Sequence, residues 1–298
     1  MISRILLSGS SGLVGTALLP SLKTAGYEVT RLVRRAAAGN GEIFWDPAQP
    51  ISPDAVSGFD AVVHLAGESV VGRWTAAKKA RIVASRIPAT AHLAQSLAQA
   101  KRKPRVFVSA SAIGYYGNRG DEVLNEESAG GSGFAADLAR DWELATAPAA
   151  AAGIRTVRMR IGIVLAASGG ALHSMLPPFR IGAGGRLGNG RQWMSWIDLQ
   201  DVVGAIHHIL KNDLLQGPVN LVAPKPVTNA EFTKTLAGVL SRPAIFPMPA
   251  FTARLAFGQM ADELLLASQR VEPGKLISSG YPYRFSELRT SLESLLKK

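Results

Sequence analysis

The sequence predicts an α/β protein built on a doubly wound parallel sheet, with a small C-terminal α/β lid or substrate domain. Three observations predict it. Short apolar runs alternate with helical patterns over the first 160 residues. One of those runs, AVVHL at Ala61–Leu65, is continuously apolar, as a parallel strand covered on both faces must be. A glycine triplet, GSSGLVG from Gly9 to Gly15, stands between the first apolar run and the first helical pattern, where a Rossmann-type domain has its nucleotide turn.

The elements follow in order. Ile2–Leu7 reads as a strand, Leu13–Ala25 as a helix ended by Gly26, and Tyr27–Val33 as a second strand. After Ala61–Leu65, Trp74–Ala100 is largely helical, with Pro88 breaking or starting a helix. Val106–Ser109 is strand, Phe134–Ala152 helix and Thr156–Ile161 strand. Beyond Leu165, glycine clusters and prolines such as Pro177–Pro178 interrupt shorter elements. Residues 1–165 are therefore expected to form the nucleotide-binding domain. Residues 166–298 form a mixed region that returns to the sheet near Gly217–Val222. No repeat of 20–50 residues is visible.

Composition narrows the function classes. With 47% hydrophobic and 18% charged residues, the 298-residue chain can bury a large core. No apolar stretch approaches the roughly 20 residues that cross a bilayer, and the N-terminal run, interrupted by Arg4 and Ser8, lacks a signal-peptide layout. The expectation is no membrane partner and a cytoplasmic location. There is no cysteine, hence no disulfide, thiolate metal site or cysteine nucleophile. The five histidines show no ligand spacing, so no metal is expected. Net charge is +11, concentrated in the second half: 17 Lys+Arg against 9 Asp+Glu there, 16 against 13 before it. That surplus can attract an anionic substrate. No dense basic run with interleaved aromatics supports a nucleic-acid partner.

Glycine in such a turn lets backbone approach a pyrophosphate, and the helix that follows offers free N–H groups and a positive dipole end. The spacing is GxxGxxG, one residue longer than the commonest fingerprint. Gly9, Ser11, Gly12, Leu13, Val14 and Gly15 are the candidate phosphate-side residues. An NAD-binding domain usually carries an acid about 20 residues further on, which holds the ribose 2′-hydroxyl. Here the second strand ends TRLVRRAA, with Arg34 and Arg35 in place of an acid. A guanidinium matches a phosphate in bidentate geometry, so the cofactor expected is NADP(H), not NAD(H).

These stretches resemble the extended short-chain dehydrogenase/reductase superfamily: GSSGLVG, VVHLAG at Val62–Gly67, SASAIGYYG at Ser109–Gly117, and WIDLQDVVGAI at Trp196–Ile206. Further pieces resemble its epimerase-like subgroup of the SDR39U1 type, the "epimerase family" group. They are HLAGESVVGRW (His64–Trp74), Ser85–Arg86, DWE (Asp141–Glu143), RIGIVL (Arg160–Leu165), GGAL (Gly169–Leu172), WMSWIDLQD (Trp193–Asp201) and QRVEPGKLISSGYPYRF (Gln269–Phe285). The resemblance covers nearly the whole chain, in order. It implies NADP as cofactor, nucleotide contacts at Arg34, Leu65, Ala66 and Arg86, with Gly67 completing the LAG strand end, and a family-specific C-terminal segment from about 245 to 296. It does not imply a particular substrate.

The superfamily's oxidoreductases use a Tyr-x-x-x-Lys pair, in which lysine lowers the tyrosine pKa for proton transfer. None of the five tyrosines has Lys four residues later, and the positions where the pair belongs hold Phe134 and Leu138. Ser111, Tyr115 and Tyr116 are the candidate substitutes, with Ala112 an alternative for the hydroxyl position. Packing is the competing reading for Tyr115 and Tyr116, and a strand-end hydroxyl for Ser111. Asp198 and Asp201 are expected to cap the helix that follows them. Glu68 and Arg73 either face the site or pair with each other. Trp193 and Trp196 either wall a pocket or pack a domain junction.

The sequence thus points to an NADP(H)-dependent oxidoreductase or epimerase-like enzyme. Its expected partner is a small carbonyl or hydroxyl substrate, anionic in one reading, with monomer and homodimer both open. The rival is an NADP(H)-binding sensor or scaffold with little or no turnover, motivated by Phe134 and Leu138.

Overall fold

The computed structural model describes residues 2–39 and 41–297. The first half runs β1 (Arg4–Ser8), α1 (Leu13–Thr24), β2 (Glu28–Val33), β3 (Glu42–Phe44), β4 (Ala61–His64), α2 (Ala76–Ala84), α3 (Ile87–Gln99) and β5 (Val106–Ala112). A 3₁₀ turn (Ile113–Tyr116), β6 (Val123–Leu124), α4 (Phe134–Leu144), α5 (Ala147–Ala151) and β7 (Arg155–Ile161) follow. Then come β8 (Ile163–Leu165), α6 (Gly170–Arg180), β9 (Trp193–Met194), β10 (Trp196–Asp198), α7 (Leu199–Lys211), β11 (Gly217–Leu221) and β12 (Val227–Thr228). The chain closes with α8 (Asn229–Leu240), α9 (Ala250–Phe257), a π turn (Ala261–Leu265), β13 (Arg270–Val271), α10 (Gly274–Ser278) and α11 (Leu288–Leu296).

Seven strands make one sheet in the order β11-β7-β5-β4-β1-β2-β3, every pair parallel. Both faces are apolar because alternate residues of one strand serve different layers. Ile5 and Leu7 of β1 pack with Leu18 and Leu22 of α1 and Val202, Ile206 and Ile209 of α7. Leu6, between them, packs with Leu93 and Leu97 of α3. The order reverses between β1 and β4, so a crevice opens beyond their C-terminal ends, where ligands of doubly wound sheets bind. The glycine turn after β1 and the LAG stretch after β4 both lead into it.

Two expected helices divide. Thr75 caps the first, its side chain accepting from Lys78 N–H at 3.2 Å, and Pro88 sits in the first turn of the second. Pro148 likewise opens α5 after α4. Edge strand β3 has no counterpart in the sequence reading, because three residues are too few to show a period. The C-terminal half reaches the sheet twice, through α7 packed on α1 and through β11 paired with β7.

Asp198 caps α7, accepting from Gln200 N–H at 2.8 Å. Asp201 does not cap; it is turned inward and fastens the tail. Its carboxylate accepts from Tyr281 Oη (3.0 Å), Arg284 N–H (2.8 Å) and Phe285 N–H (2.9 Å). Gly204, one turn on, makes room: a Cβ there would lie 2.4 Å from the Tyr281 hydroxyl.

Candidate functional site

The three glycines of the first turn have different reasons. Gly9 has φ +72°, and a Cβ on it would lie 2.5 Å from the Leu65 carbonyl carbon, so β4 closes against the turn only through glycine. A Cβ on Gly15 would lie 2.1 Å from the Gly9 carbonyl oxygen. Gly12 is under no such constraint. Its nearest neighbour, the Gly9 oxygen, would be 3.4 Å from a Cβ, and its backbone is extended at φ −77°. Gly12 stands at the N-cap of α1, which has no side-chain cap and no acid in its first turn. The N-terminal N–H groups of that helix, beside exposed Ser11 and half-buried Leu13 and Val14, are left for an anion. Gly169 and Gly170 pack against Leu13, with Cβ positions 3.1 and 3.0 Å from its methyls.

A buried hydrogen-bond chain fixes both strand ends at the crevice. Leu65 and Ala66 N–H donate to Ser8 Oγ at 3.2 and 3.4 Å, and Ser8 Oγ meets His64 Nδ1 at 2.7 Å. His64 Nε2 meets Thr90 Oγ1 at 3.0 Å, which also accepts from Trp142 Nε1 at 2.9 Å. Burial, seconded by the Arg86 charge, lowers the His64 pKa to about 4, so the ring is neutral at pH 7. With Ser8 Oγ already accepting, its hydrogen goes to Nδ1, and the ring hydrogen belongs on Nε2, donated to Thr90.

Beyond β2 the two arginines part. Arg34 is exposed and has no hydrogen bond or ion pair among the described residues. Arg35 grips Glu42 of β3 with both ends of its fork, Nη1 to Oε2 at 2.8 Å and Nη2 to Oε1 at 2.6 Å. Arg86 is buried, with its guanidinium 4.9 Å from the Trp142 ring centre. Gly67 leaves room for it; a Cβ there would sit 3.1 Å from its Cζ. Burial lowers the Arg86 pKa to about 10, so the cation persists at pH 7. Glu68 and Arg73 do not pair with each other. Glu68 takes Lys78 at 2.8 Å and Arg73 Nη1 donates to the Leu255 carbonyl at 3.2 Å.

A second buried network lies beneath the end of β5. Arg160 of β7 and Glu143 of α4 form a two-pronged ion pair, Nε to Oε1 at 2.7 Å and Nη2 to Oε2 at 2.9 Å. Ser111 Oγ lies 2.8 Å from the same Oε1. Glu143 accepts on both oxygens from a guanidinium and is a carboxylate, so the shared hydrogen is on Ser111. Ser111 therefore offers other groups only lone pairs. Tyr116 is fully buried, its hydroxyl accepting from Arg160 Nη1 at 3.0 Å and lying 2.7 Å from Asn220 Oδ1. Burial pushes its pKa up to about 12. Burial would lower the Arg160 pKa, but the hydrogen bonds and charge of Glu143 raise it instead. Tyr115 is half-buried with the Arg160 guanidinium 3.5 Å from its ring centre. Its hydroxyl has no hydrogen-bond partner among the described residues.

Phe134 and Leu138 belong to an apolar cluster with Trp74, Ile82 and Met260. Phe134 meets Trp74 edge-on at 5.0 Å, and Lys79 Nζ stands 4.9 Å over its ring. The C-terminal segment closes this wall. Glu263 Oε2 accepts from Ala135 N–H at 2.7 Å, and Met260 Sδ from Gly72 N–H at 3.2 Å. Trp196 is fully buried packing, whereas Trp193 is half-buried and lies under the Arg270 guanidinium at 4.5 Å. Arg270 Nε is buried and unpartnered among the described residues. Sequence reasoning assigned no role to Arg270, Glu143, Arg160 or His64, although each lies in a quoted motif.

The residues at the crevice fit a dinucleotide with an added phosphate: an open glycine, an uncapped helix start and, directly after β2, an arginine unpaired among the described residues. Known proteins are similar to this chain over its length. The NAD dependent epimerase/dehydratase family matches residues 5–221, and a domain of unknown function (DUF1731) matches residues 248–295. An epimerase family protein of Mycobacterium bovis is 43% identical over 290 residues, covering 97% of this chain and 96% of that one. The crystal structure of human epimerase family protein SDR39U1 with NADPH superposes with a TM-score of 0.90 at 34% identity, covering 99% of both chains. A nucleoside-diphosphate sugar epimerase from Corynebacterium glutamicum superposes with a TM-score of 0.82 at 37% identity, covering 99% of this chain and 58% of that one. The chain belongs to the NAD dependent epimerase/dehydratase family, the extended short-chain dehydrogenase/reductases, alongside relatives of the SDR39U1 type.

Proposed function

We propose that the protein binds NADP(H) in the crevice between β1 and β4 and acts as an oxidoreductase or epimerase-like enzyme on a small carbonyl or hydroxyl substrate. One observation carries this reading: the turn glycine without a packing constraint, Gly12, heads an uncapped helix, and of the two arginines directly after β2 it is Arg34 that has no partner among the described residues. The relative crystallised with NADPH supports it. The cofactor supplies hydride exchange at the nicotinamide. Gly12 and the first N–H groups of α1 take the pyrophosphate, Arg34 takes the 2′-phosphate, and Leu65, Ala66, Gly67 and Arg86 line the β4 side.

The three candidate hydroxyls divide the work. Tyr116 holds Arg160 and Asn220 together and is a positioning residue. Ser111, its hydrogen given to Glu143, accepts from a hydroxyl or amide. Tyr115 alone of the three has a hydroxyl without a partner among the described residues, which supports it as the donor of the proton of a carbonyl reduction. Arg270, stacked on Trp193 and short of acceptors, suits an anionic substrate group. The parts of residues 166–298 outside α7 and β11, which belong to the sheet layers, then serve as the lid or substrate domain. The cysteine-free composition suits a cytoplasmic setting.

A second reading rests on Phe134 and Leu138: an NADP(H)-responsive protein with little turnover, because an apolar wall stands where the usual pair would be. Calorimetric titration with NADPH and then NADH tests the shared premise. Tight NADPH binding with much weaker NADH binding supports both readings; no binding of either removes both. Cofactor oxidation by candidate carbonyl compounds, abolished in Tyr115→Phe, then favours the enzyme over the sensor.

A further inference from the structure

Glu42 is the acid that hydrogen-bonds an arginine at the end of β2, and it is fully engaged. Its Oε1 takes Arg31 Nη2 and, at 2.6 Å, Arg35 Nη2, while its Oε2 takes Arg35 Nη1 at 2.8 Å and Ala38 N–H at 2.9 Å. The side chain is 4% exposed, covered by the arginines it holds. Arg35 is also tied to the Ala36 carbonyl at 2.9 Å. The carboxylate thus gathers two of three neighbouring guanidinium groups and leaves Arg34 as the one uncommitted.

We propose that Glu42 sets the strength of 2′-phosphate recognition by holding Arg35 in reserve. This goes beyond the NADP(H) reading and rests on it. A phosphate and a carboxylate ask the same thing of a guanidinium, two parallel acceptors in one plane, so Glu42 competes with the nucleotide for the Arg35 fork. Arg34 has no carboxylate bonded to it among the described residues, and Glu68, whose charge also reaches Arg34, is held by Lys78 at 2.8 Å. While Glu42 holds Arg35, the site discriminates NADPH from NADH through Arg34 alone. Once the carboxylate is removed, Arg35 can turn to the phosphate and add a second charge-assisted contact. Glu42 is a positioning residue in this scheme, since it acts through Arg35.

The test is calorimetric titration of the full chain with NADPH and with NADH, for wild type and four variants. Glu42→Gln should bind NADPH about 5- to 10-fold more tightly, with NADH affinity unchanged. The NADPH affinity of that variant should also fall more steeply with salt, because one more cation meets the phosphate. In Glu42→Gln/Arg35→Ala the gain should vanish. Arg35→Ala alone, with the β3 contact otherwise intact, should cost NADPH less than about threefold, because Arg35 is held back in the wild type. A tenfold loss in Arg35→Ala, or unchanged or weaker NADPH binding by Glu42→Gln, overturns the proposal. Should Glu42→Gln fail to fold, the Arg35→Ala result decides alone. Arg34→Ala separates the proposal from its premise: equal effects of that variant on NADPH and NADH would remove the 2′-phosphate reading itself.

Discussion

The Glu143–Arg160 pair permits a stability prediction with a magnitude. Both residues are almost wholly buried, and the carboxylate also receives the Ser111 hydroxyl. Glu143→Ala leaves a guanidinium inside the protein with no counter-charge. Breaking a buried pair from one side costs about 3–5 kcal/mol, and the stranded Ser111 hydroxyl adds about 1 kcal/mol. The sum, about 4–6 kcal/mol, is a large share of the ~5–15 kcal/mol that keeps a protein folded. Arg160→Met alone should cost a similar amount, since it leaves the carboxylate unpaired. The double variant Glu143→Ala/Arg160→Met should lose distinctly less than the two single losses added, because neither charge is then left buried without its partner. Equilibrium denaturant unfolding, followed by fluorescence of Trp142 and the other tryptophans, reads all three. A loss below about 1 kcal/mol in Glu143→Ala, or strict additivity in the double variant, would refute the picture of a charged pair closed to water.

Arg34→Ala should weaken NADPH binding about 10- to 150-fold, from ~1.5–3 kcal/mol per charge-assisted hydrogen bond, and leave NADH nearly unaffected in the same titration. Gly12→Ala should keep the melting temperature of the wild type yet lose NADPH affinity at least tenfold. Gly15→Ala, whose Cβ meets the Gly9 carbonyl at 2.1 Å, should instead unfold at visibly lower temperature. His64 binds a proton at about pH 4 when folded against 6.5 when unfolded. The unfolded chain therefore takes up the extra proton as pH falls through that window. His64 contributes a stability that is complete above pH 6.5 and lost on the way down to pH 4, about 3 kcal/mol in all. Denaturation midpoints measured from pH 7 to pH 4 should show this step in the wild type and lack it in His64→Gln; a step of equal size in both would assign it elsewhere.

Much of this protein is written locally. Continuous apolar runs mark the central strands because a strand covered on both faces needs no polar side. GSSGLVG marks the β1–α1 turn because glycine spacing there answers to backbone clashes within a few residues. The missing acid after β2 is likewise visible, since nothing but Arg34 and Arg35 follows Val33. Other facts depend on residues far apart in the chain. Arg34 and Arg35 look equivalent until Glu42 arrives on a three-residue edge strand too short to carry a period. Asp201 reads as a cap until Tyr281, Arg284 and Phe285 come to it across 80 or more residues. Ser111 reads as a candidate site hydroxyl or a strand-end hydroxyl until Glu143 and Arg160 fix its hydrogen. Sequence determined the fold class and the nucleotide turn, because backbone sterics and hydrophobic period act between neighbours. Which arginine is unpaired among the described residues, which way a hydroxyl points and which tyrosine hydroxyl lacks a partner there were decided by tertiary structure, because a buried polar group is defined by the partners that folding brings to it.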